Sequence, residues 1–207
     1  RTSPMAFTGN KFEFRALGSS QSISGPNIAL NTIMAEELER FADELEGSKD
    51  FQADLAALIR RVLTEHQRII FNGNGYTEDW ISQRLFSIRV RKNLTFEWRE
   101  RGVKTNSEYA ILTNDIYRAW SDMTAREYKT FKGLANESLR DNMSDLELAL
   151  STLAEATTAE VERATDPESL PEHREVARSG GEVAGIARKA AEKKIGGPVI
   201  TSATAPD

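Results

Sequence analysis

Ser144-Asp145-Leu146-Glu147 is the stretch that fixes the fold class of this chain most clearly. A Ser or Thr followed three residues later by Glu forms a capping box, in which the hydroxyl and the carboxylate each satisfy a backbone amide at a helix start. The stretch therefore predicts a helix, which we expect to run to about Ala164. Thr124-Ala125-Arg126-Glu127 is a second capping box and predicts a shorter helix that ends near Lys132.

Helical periodicity continues over most of the remaining chain. Apolar residues recur at spacings of three and four after Asn27, Asp50 and Thr77, each of which can cap a helix. A further helix is expected over residues 107–121. Ser179-Gly180-Gly181 predicts a break before the last helix. The expected fold is therefore mainly α, a helical domain with one small β element near the N-terminus.

Composition excludes several classes of site. The chain has 207 residues, two His, no Cys and a net charge of -5. Disulfides and Cys-based zinc sites are therefore excluded, and any metal ion would have to be a hard cation bound by carboxylates. We expect a cytoplasmic protein, which the absence of Cys fits. No membrane partner is expected, because no apolar run approaches the ~20 residues that span a bilayer.

The predicted β element lies in a strand expected over residues 8–17 and contains Lys11-Phe12-Glu13-Phe14-Arg15. Side chains alternate along a strand, so the two Phe share one face and the three charged residues share the other. One hypothesis is a solvated face with cross-strand charge pairs. The other is a site in which Glu13 binds a divalent metal ion while Lys11 and Arg15 hold anionic oxygen atoms.

Residues 1–80 resemble the C-terminal part of the catalytic domain of type III glutamine synthetase. The resemblance is carried by Arg1-Thr2-Ser3-Pro4, Phe7 to Arg15, Gly18-Ser19-Ser20, Gly25-Pro26-Asn27, Ala42 to Glu46 and Ile69 to Tyr76. It implies a fragment of an α/β catalytic domain that joins glutamate and ammonia with ATP through a γ-glutamyl phosphate.

The same resemblance assigns roles to four residues. Glu13 would bind Mg²⁺ or Mn²⁺, and Arg15 would be the catalytic contact to glutamate or to the transferred phosphoryl group. Arg1 and Lys11 would bind the ATP phosphates. One carboxylate cannot hold two or three divalent ions, and the family needs further carboxylates from upstream. We therefore expect the isolated chain to be inactive and to hold neither ATP nor metal.

A basic segment with interleaved aromatic residues follows. Six of its cations are candidate nucleic-acid contacts: Arg84, Arg89, Arg91, Lys92, Arg99 and Arg101. Such a helix can follow phosphates and stack on bases. The alternative is an amphipathic helix that keeps its aromatic residues in the core and its cations in water.

Residues 75–207 resemble the C-terminal region of Bro-family phage antirepressors, which is also similar to DNA-damage-inducible protein D. Among the matching stretches are Gly75 to Ile81, Glu97 to Val103, Glu108 to Thr113, Leu139 to Met143 and Pro198 to Thr201. The resemblance implies a regulatory module that acts on a repressor or a DNA-repair protein.

The two resemblances together predict a chimera that joins near Gly75. Residues 1–76 would be the synthetase fragment, able to self-associate, and residues 77–207 the helical antirepressor-like domain. The alternative is the C-terminal portion of a functional glutamine synthetase whose upstream half is missing from this chain.

Overall fold

A computed structural model describes residues 5–7, 12–14 and 24–205, and it describes side chains from Ser24 onward except that of Pro26. Most of these residues are helical, so the prediction of a mainly α fold is confirmed. The helices are α1 (Ser24–Leu45), α2 (Phe51–Gly73), α3 (Glu78–Glu100), α4 (Asn106–Ser121), α5 (Ala125–Phe131), α6 (Asp145–Thr165) and α7 (Leu170–Ile195).

Two strands of three residues lie before the helices. β1 (Met5–Phe7) and β2 (Phe12–Phe14) pair antiparallel, with Ala6 opposite Glu13. β2 falls inside the strand predicted over residues 8–17, and the other residues of that segment lie outside the described residues.

The chain divides into two compact units, residues 1–62 and 63–207. In the first unit, α1 and the start of α2 bury little. Leu58 is the one buried side chain among the described residues 24–62. Several large apolar side chains of these two helices are exposed, namely Ile28, Ile33, Met34, Leu38, Phe51 and Ile59. An exposed ion pair joins Arg61 to Glu44 at 2.5 Å.

The second unit is a helical bundle around a continuous apolar core. α7 packs against α4 and α6, and α3 packs against α6. The largest fully buried apolar side chains are Trp98, Trp120, Tyr128, Ile81, Leu94, Leu112, Ile116, Met143 and Leu148. Both predicted capping boxes are confirmed at the starts of α5 and α6, and Thr105 with Glu108 forms another at the start of α4.

The predicted break at Ser179-Gly180-Gly181 is wrong, because α7 is continuous through it. A Cβ atom on Gly180 would lie 2.1 Å from the Thr158 hydroxyl oxygen, and one on Gly181 would lie 2.6 Å from the Ala119 Cβ. The two glycines therefore serve close packing of α7 against α6 and α4. Gly within a helix costs about 1 kcal/mol relative to Ala, which close packing offsets.

Candidate functional site

The residues that the synthetase resemblance assigns to metal, phosphate and substrate lie within residues 1–15, of which the structure describes 5–7 and 12–14. Arg1, Lys11 and Arg15 lie outside the described residues. Glu13 lies in β2, and its side chain is not described. Among the described residues, no group of three or more His, Asp or Glu is placed to hold a metal ion. The assignments of metal and phosphate contacts therefore stay predictions.

Half of the predicted nucleic-acid contacts point into the bundle. The Arg84 Nε donates to Asp141 at 2.7 Å, and the Arg91 Nη1 donates to Glu155 at 3.1 Å. Arg101 pairs with Glu97 at 2.6 Å near the end of α3 and with Asp166, which follows α6, at 2.9 Å. These three arginines tie α3 to other parts of the bundle and are not available to a phosphate backbone.

Arg91 belongs to a buried network between α3, α4 and α6. Its Nη2 donates to the Thr113 hydroxyl at 2.6 Å, and its partner Glu155 also binds Arg140. Arg140 in turn donates to the Tyr117 hydroxyl at 3.3 Å. Burial lowers the pKa of Arg91, although the Glu155 carboxylate opposes the shift. Two guanidinium groups on one carboxylate make this a structural ion cluster.

A second buried ion pair, between Lys132 and Glu147, contacts residues 196–205, which follow α7 and which we call the C-terminal segment. Lys132 Nζ lies 2.9 Å from Glu147, and both side chains are fully buried. Glu147 also accepts from the Tyr128 hydroxyl at 2.7 Å and from the Thr201 amide at 3.2 Å. Lys132 donates to the Ala203 carbonyl at 2.5 Å. Burial raises the pKa of Tyr128, so its hydroxyl keeps the proton that it donates.

Glu162 and His173 form a third buried cluster, which the sequence analysis missed. Glu162 accepts from the Trp98 indole at 3.0 Å and lies 2.9 Å from the His173 Nδ1. The His173 Nε2 faces the Arg101 carbonyl at 3.3 Å. Burial raises the pKa of Glu162. Helical spacing from His173 to Val176, Ala177 and Gly180 is the signal that could have placed it inward.

The other predicted nucleic-acid contacts lie on the outer face of α3. Arg89, Lys92 and Arg99 are exposed, and so are Phe86 and Phe96. The Arg89 guanidinium lies 5.1 Å from the centre of the Phe86 ring, and that of Arg99 lies 5.2 Å from the Phe96 ring. We call these five residues the α3 stripe. The alternative, with aromatic residues in the core and cations in water, therefore holds for Trp98 and for these three cations, but not for Phe86, Phe96 or the inward arginines.

A cleft of about 240 Å³ lies between the start of α3, the start of α6 and the C-terminal segment. Its aromatic wall is Tyr76 stacked on Trp80, with ring centres 4.1 Å apart. The Tyr76 hydroxyl donates to the Asp141 carbonyl and the Trp80 indole to the Met143 carbonyl. Because the polar tips of both rings are used within the fold, the cleft is best explained by packing.

None of the helices among the described residues combines the length and apolarity needed to cross a membrane.

Comparison with known proteins finds glutamine synthetases. Residues 54–130 match the family described as glutamine synthetase C-terminal domain. This match runs from α2 through α5. It therefore passes through Gly75, where the two resemblances were predicted to join, and similarity to glutamine synthetases continues well past residue 80.

Curated relatives agree with the family match. The type-3 glutamine synthetase of Dictyostelium discoideum is 37% identical over 158 residues, which cover 72% of this chain and 21% of that protein. The glutamine synthetase of Bacteroides fragilis (strain YCH46) is 42% identical over 84 residues, which cover 39% of this chain and 12% of that protein. The chain thus spans about a fifth or less of the length of these relatives.

The extent of the first similarity also bears on the junction. A stretch that covers 72% of a 207-residue chain must include approximately residues 60–148, wherever it begins. No solved structure matches the chain significantly. Similarity to glutamine synthetases therefore extends well into the helical bundle, and the chain contains a segment related to the glutamine synthetase C-terminal domain.

Proposed function

We propose that this chain is the C-terminal portion of a type III glutamine synthetase, an ATP-dependent glutamate–ammonia ligase. The observation that carries the proposal is the match of residues 54–130 to the glutamine synthetase C-terminal domain, which is continuous across the predicted junction. The chain spans about a fifth or less of the relatives. The further carboxylates that a site for two or three metal ions needs would come from the rest of the synthetase.

The exposed apolar residues of α1 and α2 support the proposal. Ile33 and Leu38 on α1 and Ile59 on α2 each keep half or more of their surface exposed. Burying one such side chain contributes roughly 1.5–3 kcal/mol. Because these side chains are exposed, α1 and α2 lack the stabilisation that their burial would contribute. Such helices fit a surface on which the rest of a catalytic domain packs.

The catalytic contribution of this portion would come from its first residues. Glu13 would bind one Mg²⁺ or Mn²⁺, with the remaining ligands supplied from upstream. Arg1 and Lys11 would neutralise ATP phosphates, and Arg15 would contact glutamate or the transferred phosphoryl group. Metal and cation clamps of this kind stabilise the charge that spreads during phosphoryl transfer. Self-association through residues 1–76 would be a further property of this portion.

The bundle of residues 63–207 would act as a rigid support. Its buried ionisable groups are engaged in ion pairs that join helices, as Lys132 with Glu147 and Arg91 with Glu155 do. Breaking such pairs is costly, so they suit a structural role better than a catalytic one.

The test is an assay of two proteins for phosphate release that depends on ATP, glutamate and ammonia. The first is this chain, and the second is the product of the reading frame extended upstream of Arg1. We expect no activity from the first and glutamine formation by the second. Glu13→Ala should abolish that activity, whereas Glu44→Ala, a change at an exposed ion pair, should leave it nearly unchanged. An extended protein that makes no glutamine, or is insensitive to Glu13→Ala, would contradict the proposal.

The second candidate function is a regulatory module fused to a synthetase fragment. It rests on the sequence resemblance of residues 75–207 to antirepressors, with a repressor or DNA-repair protein as partner. The family match through α5 favours the synthetase over this fusion.

A further inference from the structure

Helix α3 distributes its side chains against the usual preference. Arg84 and Arg91 lie inside, whereas Phe86 is 46% exposed and Phe96 is 48% exposed. Burying a paired charge carries a desolvation penalty of several kcal/mol per ion, and leaving a Phe exposed forgoes roughly 1.5–3 kcal/mol. The stability of the bundle alone would favour the opposite arrangement. The outer face of α3 therefore has the composition of a binding surface.

The charge of this face has one sign along most of its length. From Ser82 to Arg99 the exposed α3 residues include three cations and no carboxylate, since Glu97 is buried. At the end of the helix the exposed carboxylate of Glu100 lies 3.6 Å from Arg99. Each Phe ring has an Arg guanidinium about 5 Å from its centre. A guanidinium that stacks on a ring still presents N–H groups at its own edge. A carboxylate can accept hydrogen bonds from two of these N–H groups at once.

The spacing of the stripe fits a helix as its partner. Phe86 and Phe96 are ten residues apart, which places them about 15 Å apart along the axis. Arg89 and Lys92 lie between them. An amphipathic helix offers apolar residues at every third or fourth position over that distance, and it can carry carboxylates on both flanks.

Single-stranded nucleic acid fits the same surface less well. Proteins that bind nucleic acid through phosphates commonly make about 6–10 such contacts, and the stripe has three cations on a chain of net charge -5. The neighbouring guanidinium groups also occupy ring faces on which bases would stack.

We propose that the α3 stripe (Phe86, Arg89, Lys92, Phe96 and Arg99) is a docking surface for an acidic amphipathic helix of a partner protein. The two Phe rings contact the apolar side of that helix, and the three cations pair with its carboxylates. The proposal does not depend on the ligase activity, because neither the predicted catalytic residues nor the assay described above involves this face.

The test uses the full 207-residue chain and a fluorescent synthetic helix with Leu at every third or fourth position and Glu on the flanking positions. Fluorescence anisotropy at low salt should give saturable binding with a Kd below about 100 µM. The same peptide with Lys in place of Glu should not bind. Absence of saturable binding by the Glu peptide would overturn the proposal.

Matched variants locate the surface. Phe86→Ala with Phe96→Ala should weaken binding at least about tenfold, whereas Phe131→Ala should change it less than about twofold. Phe131 is the control because it is 47% exposed and lies on α5. Arg89→Glu with Lys92→Glu should abolish binding of the Glu peptide, while Arg178→Glu with Lys189→Glu, an equal charge change on α7, should preserve it. Equal losses in variant and control would overturn the proposal.

Two further measurements exclude other occupants. An oligo-dT strand of about 20 nucleotides should not compete with the Glu peptide, and tighter binding of that strand at the same residues would replace the proposal with a nucleic-acid interface. Sedimentation of the unmodified chain should show no dimer that disappears in the Phe86→Ala, Phe96→Ala protein. Such a dimer would mean that a second copy of the chain occupies the stripe.

Discussion

In α1 and the first half of α2, described residues 24–62 bury one side chain, Leu58, and the ion pair between Arg61 and Glu44 lies at the surface. In residues 63–207 the ion pair between Lys132 and Glu147 is fully buried, and three aromatic side chains are buried completely. Both regions have helices with helical apolar spacing, and both have capping residues, Asp50 at α2 and Thr77, Thr124 and Ser144 in the bundle. The predicted cap Asn27 instead lies inside α1, which begins at Ser24. They differ in whether the apolar side of each helix has a partner.

This difference indicates that the bundle can fold on contacts within its own unit, whereas α1 and the first half of α2 derive little stability from theirs. Most helical stability in proteins comes from packing of an apolar face rather than from intrinsic propensity. The proposed synthetase function supplies the missing partner, because the upstream part of a catalytic domain would cover these helices. Substitutions that are harmful in the bundle should therefore be tolerated in residues 24–62.

The largest contrast is expected between the two ion pairs. Lys132→Met leaves the Glu147 carboxylate buried without its cation, which should reduce the free energy of unfolding by roughly 3–5 kcal/mol. Arg61→Met, at the exposed pair with Glu44, should cost less than about 1 kcal/mol. Urea unfolding followed by circular dichroism measures both. Equal effects would show that burial does not separate the two regions.

The same Gly→Ala change should distinguish the regions at a second level. A Cβ atom on Gly180 would meet Thr158 backbone atoms at 2.7 Å, whereas one on Gly25 of α1 would have no atom within 4 Å. We expect Gly180→Ala to lower the free energy of unfolding by about 1–3 kcal/mol. Gly25→Ala should be neutral or slightly stabilising. A neutral or stabilising Gly180→Ala would contradict the close packing of α7 against α6 at this position.

The capping residues were the part of the fold most accessible from sequence, because a cap is made within four residues. Thr77, Thr124 and Ser144 all accept the predicted backbone amides. Gly180 and Gly181 were misinterpreted because a Gly pair that ends a helix and one that packs against another helix have the same local pattern. The deciding atoms belong to Thr158 and Ala119, which lie distant in sequence.

The orientation of α3 was inaccessible for a similar reason. Its inward arginines bind Asp141 and Glu155, each more than 50 residues away in the chain. A sequence pattern that places Arg on the outer face of a helix and Phe on the inner face cannot predict ion pairs with such distant residues. The predicted synthetase residues Arg1, Lys11, Glu13 and Arg15 remain predictions.

The smallest expected effect concerns pH. The hydrogen bond from Arg163 holds the pKa of Glu97 below its usual range, with a further contribution from Arg101 and opposed by burial. Since the pKa is lower in the folded state, this carboxylate stabilises the fold above the unfolded pKa, and the contribution is lost as pH falls below about 4.5. Glu97→Gln should therefore lower the free energy of unfolding at about pH 7, and it should lower it less at about pH 3.

The control for this prediction is Glu100→Gln, at an exposed neighbour on the same helix. Its effect on the free energy of unfolding should be small at both pH values. A Glu97→Gln effect that is equal at both pH values would contradict the assigned ion pairs.

A graft tests the central claim, that the similarity to glutamine synthetases is continuous from α2 into the bundle. In the Dictyostelium discoideum type-3 glutamine synthetase, the 158-residue segment that aligns with this chain is replaced by the aligned residues of this chain. A second graft carries this chain only as far as Tyr76 and keeps the host residues after that point. Glutamine formation is then assayed in both. A continuous synthetase portion predicts activity in both grafts, whereas activity in the second and not in the first would contradict it.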